Sequence, residues 1–234
     1  MILSRLLPPG EPVDSAELDA LYALPREDWL RINLITSVDG RAAGADGTSG
    51  SLTGGADRKV LGAIRRAADV VLVGASSVRA EGYLPPRSAA VAVVTASGDL
   101  DGHRLSGAEP DRLIVLCPPG AVTAVERSLG PGAARIVPMA ARSGRLSTED
   151  MVARLRSLGH RSIVCEGGPS LAGQLIGAGL VDELCLSTSP VIAGTGLPLI
   201  GDAASATPLR LTRLLADEAG FTYARWTVQR SRAS

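Results

Sequence analysis

A carboxylate, two glycines and the start of a helix follow one another at residues 166–170, which read E-G-G-P-S. The apolar run before them predicts a buried strand, and residues 170–179 predict a helix. A glycine turn between a strand and a helix presents unpaired backbone N–H groups at the helix N-terminus, where they attract anions. Pro169 has no N–H but suits the first helical turn. The stretch therefore predicts a phosphate-binding turn, although the sequence contains neither G-x-G-x-x-G nor a Walker lysine.

Small and hydroxyl-bearing residues also follow three other predicted strands. They lie in "TSVDG" (36–40), "VGASSV" (73–78) and "VTASG" (94–98). Ligands of open parallel sheets bind beyond the carboxyl ends of the strands, and small residues there let a ligand approach the backbone closely. These turns, together with residues 166–170, predict a nucleotide site.

Hydrophobic periodicity predicts the elements that position these turns. Continuous apolar runs between polar residues indicate strands buried on both faces of a parallel sheet, and apolar residues at helical spacing indicate connecting helices. The predicted strands cover residues 29–38, 69–75, 89–97, 111–119, 134–140, 161–167 and 181–194. The predicted helices cover residues 14–24, 56–68, 123–129, 148–159 and 170–179.

The two ends of the chain differ from this pattern. Residues 209–229 alternate and turn at 218–220, which indicates an antiparallel hairpin. Residues 1–28 predict a lead-in segment with a Pro/Gly loop and a short helix, and residues 29–234 predict a single domain. We expect an α/β fold: a mostly parallel sheet with helices on both faces and a C-terminal antiparallel hairpin.

The composition excludes several classes of partner. Lys and Arg together number 24, as do Asp and Glu, and aromatic residues are 3% of the chain, so neither nucleic acid nor a membrane surface is an expected partner. The three cysteines lie in apolar runs and predict reduced core thiols. No signal peptide and no membrane-length apolar run is evident, which predicts a cytoplasmic protein.

Three motifs resemble the pyrimidine reductase domain of riboflavin biosynthesis. They are "NLITSVDGR" (33–41), "ADVVLVGASSVRAE" (68–81) and "CEGGPSLAGQLIGAGLVDELCLSTSPVIAG" (165–194). That family has a dihydrofolate-reductase-like fold, uses NADPH and reduces the ribosylamino group of a pyrimidinone 5′-phosphate by hydride transfer to the sugar C1. The resemblance covers roughly residues 29–201 and implies the same fold, cofactor and reaction. It also implies a homodimer paired through C-terminal strands, although a hairpin within one chain explains those strands equally well.

The resemblance implies which residues hold the cofactor. The Glu-Gly-Gly turn lies against the pyrophosphate, and the backbone at residues 35 and 36 lies along the nicotinamide. The implied cofactor-binding residues are Ile35, Thr36, Ser51, Gly74, Ser77, Glu81, Thr95, Gly167, Gly168, Pro169, Ser170 and Leu171. Arg79 is an alternative contact for the NADP 2′-phosphate, and Ser97 for the adenosine end.

The resemblance also implies the substrate side of the site. Asp39, with an orienting or proton-relay role, and Glu166, which accepts hydrogen bonds from the pyrimidine, are the candidate catalytic residues. Ser49, Arg65 and Glu166 are the implied substrate-binding residues, and the guanidinium of Arg65 suits a phosphate. The local sequence also fits an Asx turn at Asp39 and a solvated helix face at Arg65.

Two stretches depart from the family pattern. Ser51 stands where members often carry a tryptophan, and "EGYLPPR" (81–87) does not reproduce the Asp-Pro and following arginine of the family. Because the second stretch faces the substrate, a pterin such as dihydrofolate is an alternative substrate, and a non-catalytic NADP(H)-binding module is an alternative class. The deaminase motifs H-x-E and P-C-x-x-C do not occur, so no metal site is expected.

Overall fold

A computed structural model describes residues 2–105, 108–201 and 206–229. The helices are α1 (Ser15–Tyr22), α2 (Asp57–Arg66), α3 (Ala75–Glu81), α4 (Val122–Leu129), α5 (Thr148–Ser157) and α6 (Pro169–Gly177). The first strands are β1 (Leu3–Leu7), β2 (Pro9–Val13), β3 (Trp29–Ser37), β4 (Val70–Gly74), β5 (Ala90–Val94), β6 (Leu113–Cys117) and β7 (Arg135–Pro138). The remaining strands are β8 (Ala141–Arg142), β9 (Arg145–Leu146), β10 (Ser162–Gly167), β11 (Glu183–Ser189), β12 (Leu209–Asp217) and β13 (Thr222–Val228). Over these ranges, no helix has the length and apolar character that crossing a bilayer requires.

One large sheet organises the chain. Within the described residues it contains eleven strands in the order β2-β1-β12-β13-β11-β3-β10-β4-β5-β6-β7. The strands from β11 to β7 in this order run parallel. The hairpin of β12 and β13 adds antiparallel to β11.

Helices cover both faces of this sheet. On one face, α5 and α6 pack through Leu155 and Leu175. On the other face, α1 and α2 pack through Leu18 and Ile64, and α4 packs farther along through Val125. The two faces are filled by alternate residues of the same strands, which is why these strands consist of continuous apolar runs. The predicted fold class is confirmed.

The central parallel strands bring the predicted turns together. Strand β10 lies between β3 and β4, with Cys165 level with Ile32 on one side and Leu72 on the other. Because the three strands are parallel, their carboxyl ends meet at one edge of the sheet. The loops after β3, β4 and β10 are therefore neighbours in space.

The N-terminal residues form strands where a Pro/Gly loop is predicted, so that prediction was wrong. Strand β1 pairs antiparallel with β12, and β2 pairs with β1. Pro9 and Pro12 lie in β2, the outermost strand, where a missing N–H breaks no inner ladder bond. Pairing with a strand near the other end of the chain creates this structure, and local sequence carries no signal of it.

The C-terminal hairpin is paired inside the chain on both sides. Strand β12 contacts β1, and β13 contacts β11, so neither strand offers an open edge to a second copy.

Two further elements were not predicted: helix α3, whose residues were interpreted as a loop, and the small β8–β9 hairpin.

A buried charged cluster fixes α1 to the sheet. The Glu183 carboxylate, 2% exposed, lies 2.8 Å from Arg31 Nε and accepts hydrogen bonds from Arg225 at 2.9 and 2.7 Å. The two guanidinium groups also donate to carbonyl oxygens at the end of α1: Arg31 to Tyr22 at 3.0 Å, and Arg225 to Leu21. The two arginines therefore satisfy carbonyls that a helix end leaves unpaired.

The three cysteines are buried and unbonded to one another, as predicted for core thiols. Burial raises the pKa of the Cys165 thiol to about 12, so this thiol stays protonated near neutral pH. The cysteines therefore contribute to packing rather than to nucleophilic chemistry.

Candidate functional site

Two clefts open at the carboxyl edge of β3, β10 and β4. The first, called here the Glu166 cleft, is lined by Ile35, Ser49, Asp57, Arg65, Tyr83 and Glu166 among others. The second, called here the Thr95 cleft, is lined by Arg79, Thr95, Ser97, Arg145, Ser170 and Leu171 among others. Ser76, Gly168, Pro169 and Leu197 line both clefts, so the clefts meet at the Glu-Gly-Gly-Pro turn.

An ion pair occupies the centre of the Glu166 cleft. Arg65, in the last turn of α2, donates from Nε to Glu166 Oε1 and from Nη2 to Glu166 Oε2, both at 2.6 Å. The Tyr83 hydroxyl donates to Glu166 Oε2 at 3.0 Å and accepts from Arg65 Nη2 at 3.2 Å. The Arg65 guanidinium also lies 5.3 Å from the centre of the Tyr83 ring. The arginine that is expected to suit a phosphate is thus held by a carboxylate and a phenol.

The electrostatics of this triad follow from its burial. Burial alone lowers the pKa of Arg65, but the hydrogen bonds with Glu166 outweigh this effect and raise the pKa above its usual value. Burial, and then the Glu166 charge, raise the pKa of Tyr83 well above its usual value. Arg65 is therefore a cation and Tyr83 a neutral hydroxyl near neutral pH.

A second carboxyl, Asp57, lies in the same cleft at the first residue of α2. Its side chain is mostly buried, with a residue exposure of 9%. Burial raises the pKa of Asp57, and the charge of Glu166 adds to the shift, while the Ser187 hydroxyl and the Arg58 charge oppose it. The Asp57 carboxyl group therefore retains its proton to a higher pH than the carboxyl group of an exposed aspartate does.

Ser49 and Glu81 close the outer side of the Glu166 cleft. The Ser49 hydroxyl donates to Glu81 Oε2 at 2.6 Å, which joins the glycine-rich loop to the end of α3. Among the described residues of the cleft lining, Arg65 is the only cation, whereas Asp57, Glu81 and Glu166 are acidic.

The Glu-Gly-Gly turn leads into α6 as the sequence predicts. Gly167 has a φ of +124°, a conformation that L side chains rarely adopt, and the Gly167–Gly168 peptide bond is cis. Gly168 is the N-cap of α6 and no side chain caps this helix end. A Cβ on Gly168 would lie 3.1 Å from Ser77 Oγ, so the turn packs closely against α3. The uncapped end of α6 opens onto both clefts through Gly168 and Pro169.

Hydroxyl groups and two arginines line the Thr95 cleft. Thr95 Oγ1 accepts from the Gly98 N–H at 3.0 Å, and Ser97 Oγ accepts from the Asp99 N–H at 3.2 Å. Arg79 donates to the Asp99 carbonyl at 2.6 Å, and Arg145 lies on the small hairpin across the cleft. The cleft therefore combines hydroxyls, cations and a helix N-terminus, a set that suits phosphate groups.

Asp39 lies outside the lining of both clefts. Its carboxylate accepts from Ser37 Oγ at 2.6 Å and from the N–H groups of Ala193 and Gly194 at 2.9 and 2.8 Å. The Ser37 hydrogen bond first, and then the Ala193 N–H, lower the pKa of Asp39 to about 2. Asp39 thus joins the loop after β3 to the loop after β11, and it is the second loop that brings Leu197 to the clefts.

The structure brings most of the sequence-predicted site residues to the two clefts. Those lining the Glu166 cleft are Ile35, Ser49, Arg65, Ser77, Glu81, Glu166 and Gly167. Those lining the Thr95 cleft are Gly74, Thr95, Ser170 and Leu171, and Gly168 and Pro169 line both. Three lie apart: Asp39 as described, Thr36 in the buried ladder of β3, and Ser51, which donates to Asp46 at 2.7 Å.

The cleft residues that were not singled out from the sequence include Asn33, Asp57, Tyr83 and Arg145. Tyr83 lies in the run that departs from the family pattern, and this departure was the available signal. Asp57 gave no signal because an acidic residue in a first helical turn has an ordinary structural explanation.

The chain is similar to a known protein family and to named relatives. The family model described as "RibD C-terminal domain" matches residues 28–223. RibD of Mycobacterium tuberculosis is 31% identical over 180 residues, which are 76% of this chain and 46% of that protein. The 2,5-diamino-6-ribosylamino-4(3H)-pyrimidinone 5′-phosphate reductase of Methanothermobacter thermautotrophicus is 26% identical over 175 residues, 71% of this chain and 79% of that one.

A solved structure agrees in fold. The pyrimidine reductase-like protein of Corynebacterium diphtheriae superposes with a TM-score of 0.78 at 24% identity, covering 92% of this chain and 99% of that one. The chain spans 46% of the length of the M. tuberculosis RibD that it matches. Because the family model covers most of the sequence, the chain belongs to the family of the RibD C-terminal domain.

Proposed function

We propose that this protein is an NADPH-dependent reductase of a ribosylamino-pyrimidinone 5′-phosphate in riboflavin biosynthesis. The observation that carries the proposal is the junction of two unlike clefts at Gly168 and Pro169. One cleft suits phosphates, and the other suits a ring that bears amino groups. Family membership and the name of the M. thermautotrophicus relative support the choice of substrate.

The residues of the Thr95 cleft fit NADPH. The first-turn N–H groups of α6, at Ser170 and Leu171, suit the pyrophosphate because no side chain caps this helix end. Thr95 and Ser97 suit the adenosine end, and Arg79 with Arg145 suits the 2′-phosphate. When bound, the reduced nicotinamide supplies a hydride.

The backbone of Ile35, together with Gly74, Ser77, Glu81 and Gly167, is proposed to bound the nicotinamide side. These residues line the clefts on either side of the turn, which supports the proposal. For Thr36 and Ser51 the proposed cofactor contact has no such support, since neither lines a cleft.

Glu166, Ser49 and Arg65 are proposed to bind the substrate. A carboxylate accepts about four hydrogen bonds, and Glu166 accepts three within the triad, which leaves capacity for an N–H of the pyrimidine. Arg65 holds Glu166 in place, and the Ser49 hydroxyl borders the cleft. Glu166 is thus proposed as the group that orients the substrate for reduction.

Asp39 is proposed as a positioning residue. Its hydrogen bonds to Ala193 and Gly194 hold the loop that carries Leu197 against the clefts. Ala42 donates to the Leu197 carbonyl at 2.9 Å, which joins the same two loops a second time. Through this link Asp39 shapes the junction where hydride transfer is proposed.

A pterin is the second candidate substrate. Arg65, the cation of the described Glu166 cleft lining, is already paired with Glu166. An acidic cleft of this kind suits the amino groups of a pterin as well as those of a pyrimidinone.

The deciding experiment measures NADPH oxidation by the purified protein with each candidate substrate. We expect turnover with the ribosylamino-pyrimidinone 5′-phosphate and NADPH, and much less with NADH, because the two arginines suit a 2′-phosphate. Turnover with dihydrofolate alone would favour the pterin. NADPH binding without turnover of either would contradict the reductase and indicate the non-catalytic module.

The protein is proposed to act as a homodimer in the cytoplasm. Three buried, unbonded thiols support a reducing compartment. Exposed apolar residues cluster on the joined loops, with Val38 at 64% and Ile192 at 80% exposure, and support a contact between copies. Light scattering would give the mass in solution, and a monomer at working concentration would contradict the dimer.

A further inference from the structure

The reduction proposed above needs a proton as well as a hydride. When the sugar opens, the bond between C1 and the ring oxygen breaks, C1 gains a hydride, and the electron pair of the broken bond stays on the ring oxygen. The nicotinamide is oxidised by two electrons and the substrate is reduced by two. The ring oxygen then takes one proton, so an acidic group must lie in the cleft.

Most acidic groups of the described cleft lining are already committed to other contacts. Both oxygens of Glu166 face guanidinium N–H groups of Arg65 at 2.6 Å, so neither is placed to deliver a proton. The Tyr83 hydroxyl proton is directed at Glu166, and Glu81 accepts from Ser49. Asp57 also has a serine hydroxyl beside it, that of Ser187, but it differs from Glu81 in burial. Asp57 is 9% exposed, whereas Glu81 is an exposed residue. Burial favours the protonated form of a carboxyl group, which is the form that can donate a proton.

We propose that Asp57 is the general acid of the reduction and donates its proton to the sugar ring oxygen as the C1–O bond breaks. This inference rests on the proposed reductase function. The Asp57 carboxylate then recovers a proton from water before the next turnover. Its place at the first residue of α2 puts it in the same cleft as Glu166, which is proposed to hold the pyrimidine.

The surroundings of Asp57 favour a retained proton. The charged and titratable groups that face it are Arg58 on its own helix, Glu166 on β10 and Tyr223 on β13, with the Ser187 hydroxyl on β11. Burial is the largest influence and raises the pKa of Asp57. The acid is therefore active below this raised pKa, and the rate falls as the pH rises through it.

The experiment compares the wild-type protein with Asp57→Asn, Asp57→Glu and Asp150→Asn. Asp150 is a matched control because it also lies in the first turn of a helix, α5, but is exposed and lines neither cleft. Measured quantities are kcat and KM with the ribosylamino-pyrimidinone 5′-phosphate, their pH profiles, the NADPH dissociation constant, and the titration of ¹³C-labelled aspartates in the free protein.

We expect Asp57→Asn to lower kcat by a factor of about 100 or more, the usual contribution of a general acid. KM and NADPH affinity should change by less than a factor of about 3, and the alkaline fall of the wild-type kcat profile should disappear. Asp57→Glu keeps a carboxyl and should retain a shifted alkaline fall even where Asp57→Asn folds poorly. One aspartate signal, absent from Asp57→Asn, should titrate above the normal range, and Asp150→Asn should behave as wild type.

Three results would overturn the proposal. If the wild-type protein is active and Asp57→Asn keeps its kcat within a factor of about 3, Asp57 is not the general acid, although the reductase proposal stands. The same conclusion follows if the pH profile of kcat is unchanged in Asp57→Asn or in Asp57→Glu. An aspartate titration with no raised signal would also contradict it. A wild-type protein that binds NADPH but does not reduce this substrate would overturn the reductase proposal itself, and the role of Asp57 would fall with it.

Discussion

Asp39 and Glu166 are both carboxylates at strand ends, yet they contact different partners. Glu166 pairs with a guanidinium inside a cleft, whereas Asp39 accepts two backbone N–H groups of a neighbouring loop. An acidic residue after a strand is compatible with either role. The contacts therefore favour substrate orientation for Glu166 and loop positioning for Asp39.

We predict that Asp39→Asn destabilises the fold in a pH-dependent way. The pKa of Asp39 is lowered to about 2, below the value of about 3.9 in an unfolded chain. The ionised carboxylate therefore stabilises the fold, and its contribution is complete above about pH 4. This contribution is lost as the pH falls toward 2. The melting temperature of Asp39→Asn should lie below that of wild type at neutral pH, and the difference should shrink between about pH 4 and pH 2.

The control for this prediction is Asp111→Asn. Asp111 is exposed, and its side chain makes no hydrogen bond in the described part of the chain. Thermal unfolding of this variant should follow wild type at each pH. A difference between Asp39→Asn and wild type that is independent of pH would contradict the assigned role of the carboxylate charge.

Individual residues of the site were predictable where backbone chemistry decides their type. Gly167 and Gly168 were found because a positive φ and a close approach to Ser77 admit little else. Tyr83 and Asp57 were not found, because their roles depend on which side chains the fold places beside them. Tyr83 contacts Glu166 across 83 residues of sequence, a distance over which local patterns carry no information.

Helix α6 shows how one element serves both clefts. Its N-cap, Gly168, lies on the boundary between the clefts, and its uncapped first turn opens toward the cleft proposed for the cofactor. The turn before α6 connects the anion-binding N-terminus of this helix directly to Glu166. Small changes in this turn therefore affect both clefts.

We predict that Gly168→Val weakens NADPH binding by a factor of at least about 10 while the protein stays folded. A Cβ at this position meets Ser77 Oγ at 3.1 Å, and the added methyl groups extend into the space where the pyrophosphate is proposed to lie. Fluorescence titration with NADPH measures the loss, and circular dichroism checks the fold.

Gly120→Val is the matched control for this substitution. Gly120 has no neighbouring heavy atom within 4 Å of an added Cβ and lies outside both clefts. Its NADPH affinity should equal that of wild type. Unchanged affinity in Gly168→Val would contradict the assignment of the turn to the cofactor.

Elements with a strong local pattern were predicted, and those that depend on distant partners were not. The run Val70–Gly74 is apolar because both faces of β4 are covered, and this pattern is visible in sequence. Strand β1 contains Ser4 and Arg5 and is stabilised by β12, more than 200 residues later in the chain. Helix α3 begins in a serine-rich stretch whose helical propensity is modest, so it was interpreted as a loop.

At the scale of the whole molecule, the N-terminal strands protect the edge of the sheet. Strand β1 covers β12, and the proline-containing β2 becomes the outer edge. An outer strand with two prolines offers fewer N–H groups to a second chain. The N-terminal segment is thus part of the main sheet.

We predict that a chain lacking residues 2–13 forms larger assemblies than the full-length protein. Removing residues 2–13 removes β1 and so exposes backbone N–H and C=O groups of β12, which can then pair with another copy. Size-exclusion chromatography with light scattering measures the mass. The same shortened chain with Ala216→Lys places a charge on the segment of β12 that β1 covers in the full-length protein, and it should assemble less. A mass of the shortened chain equal to that of the full-length protein would contradict the edge-protection argument.

The cluster of Arg31, Glu183 and Arg225 has a consequence for the order in which the protein can fold during synthesis. Arg225 donates to the Leu21 carbonyl, 204 residues earlier in the chain. The ribosome therefore releases α1 long before the guanidinium that completes its C-terminal end exists. Until β13 emerges, Glu183 lacks one of its two guanidinium partners, and until β12 emerges, β1 lacks the strand that joins it to the rest of the sheet. We conclude that the antiparallel half of the sheet closes only when nearly the whole chain has been translated, while the parallel half has the contacts to form first.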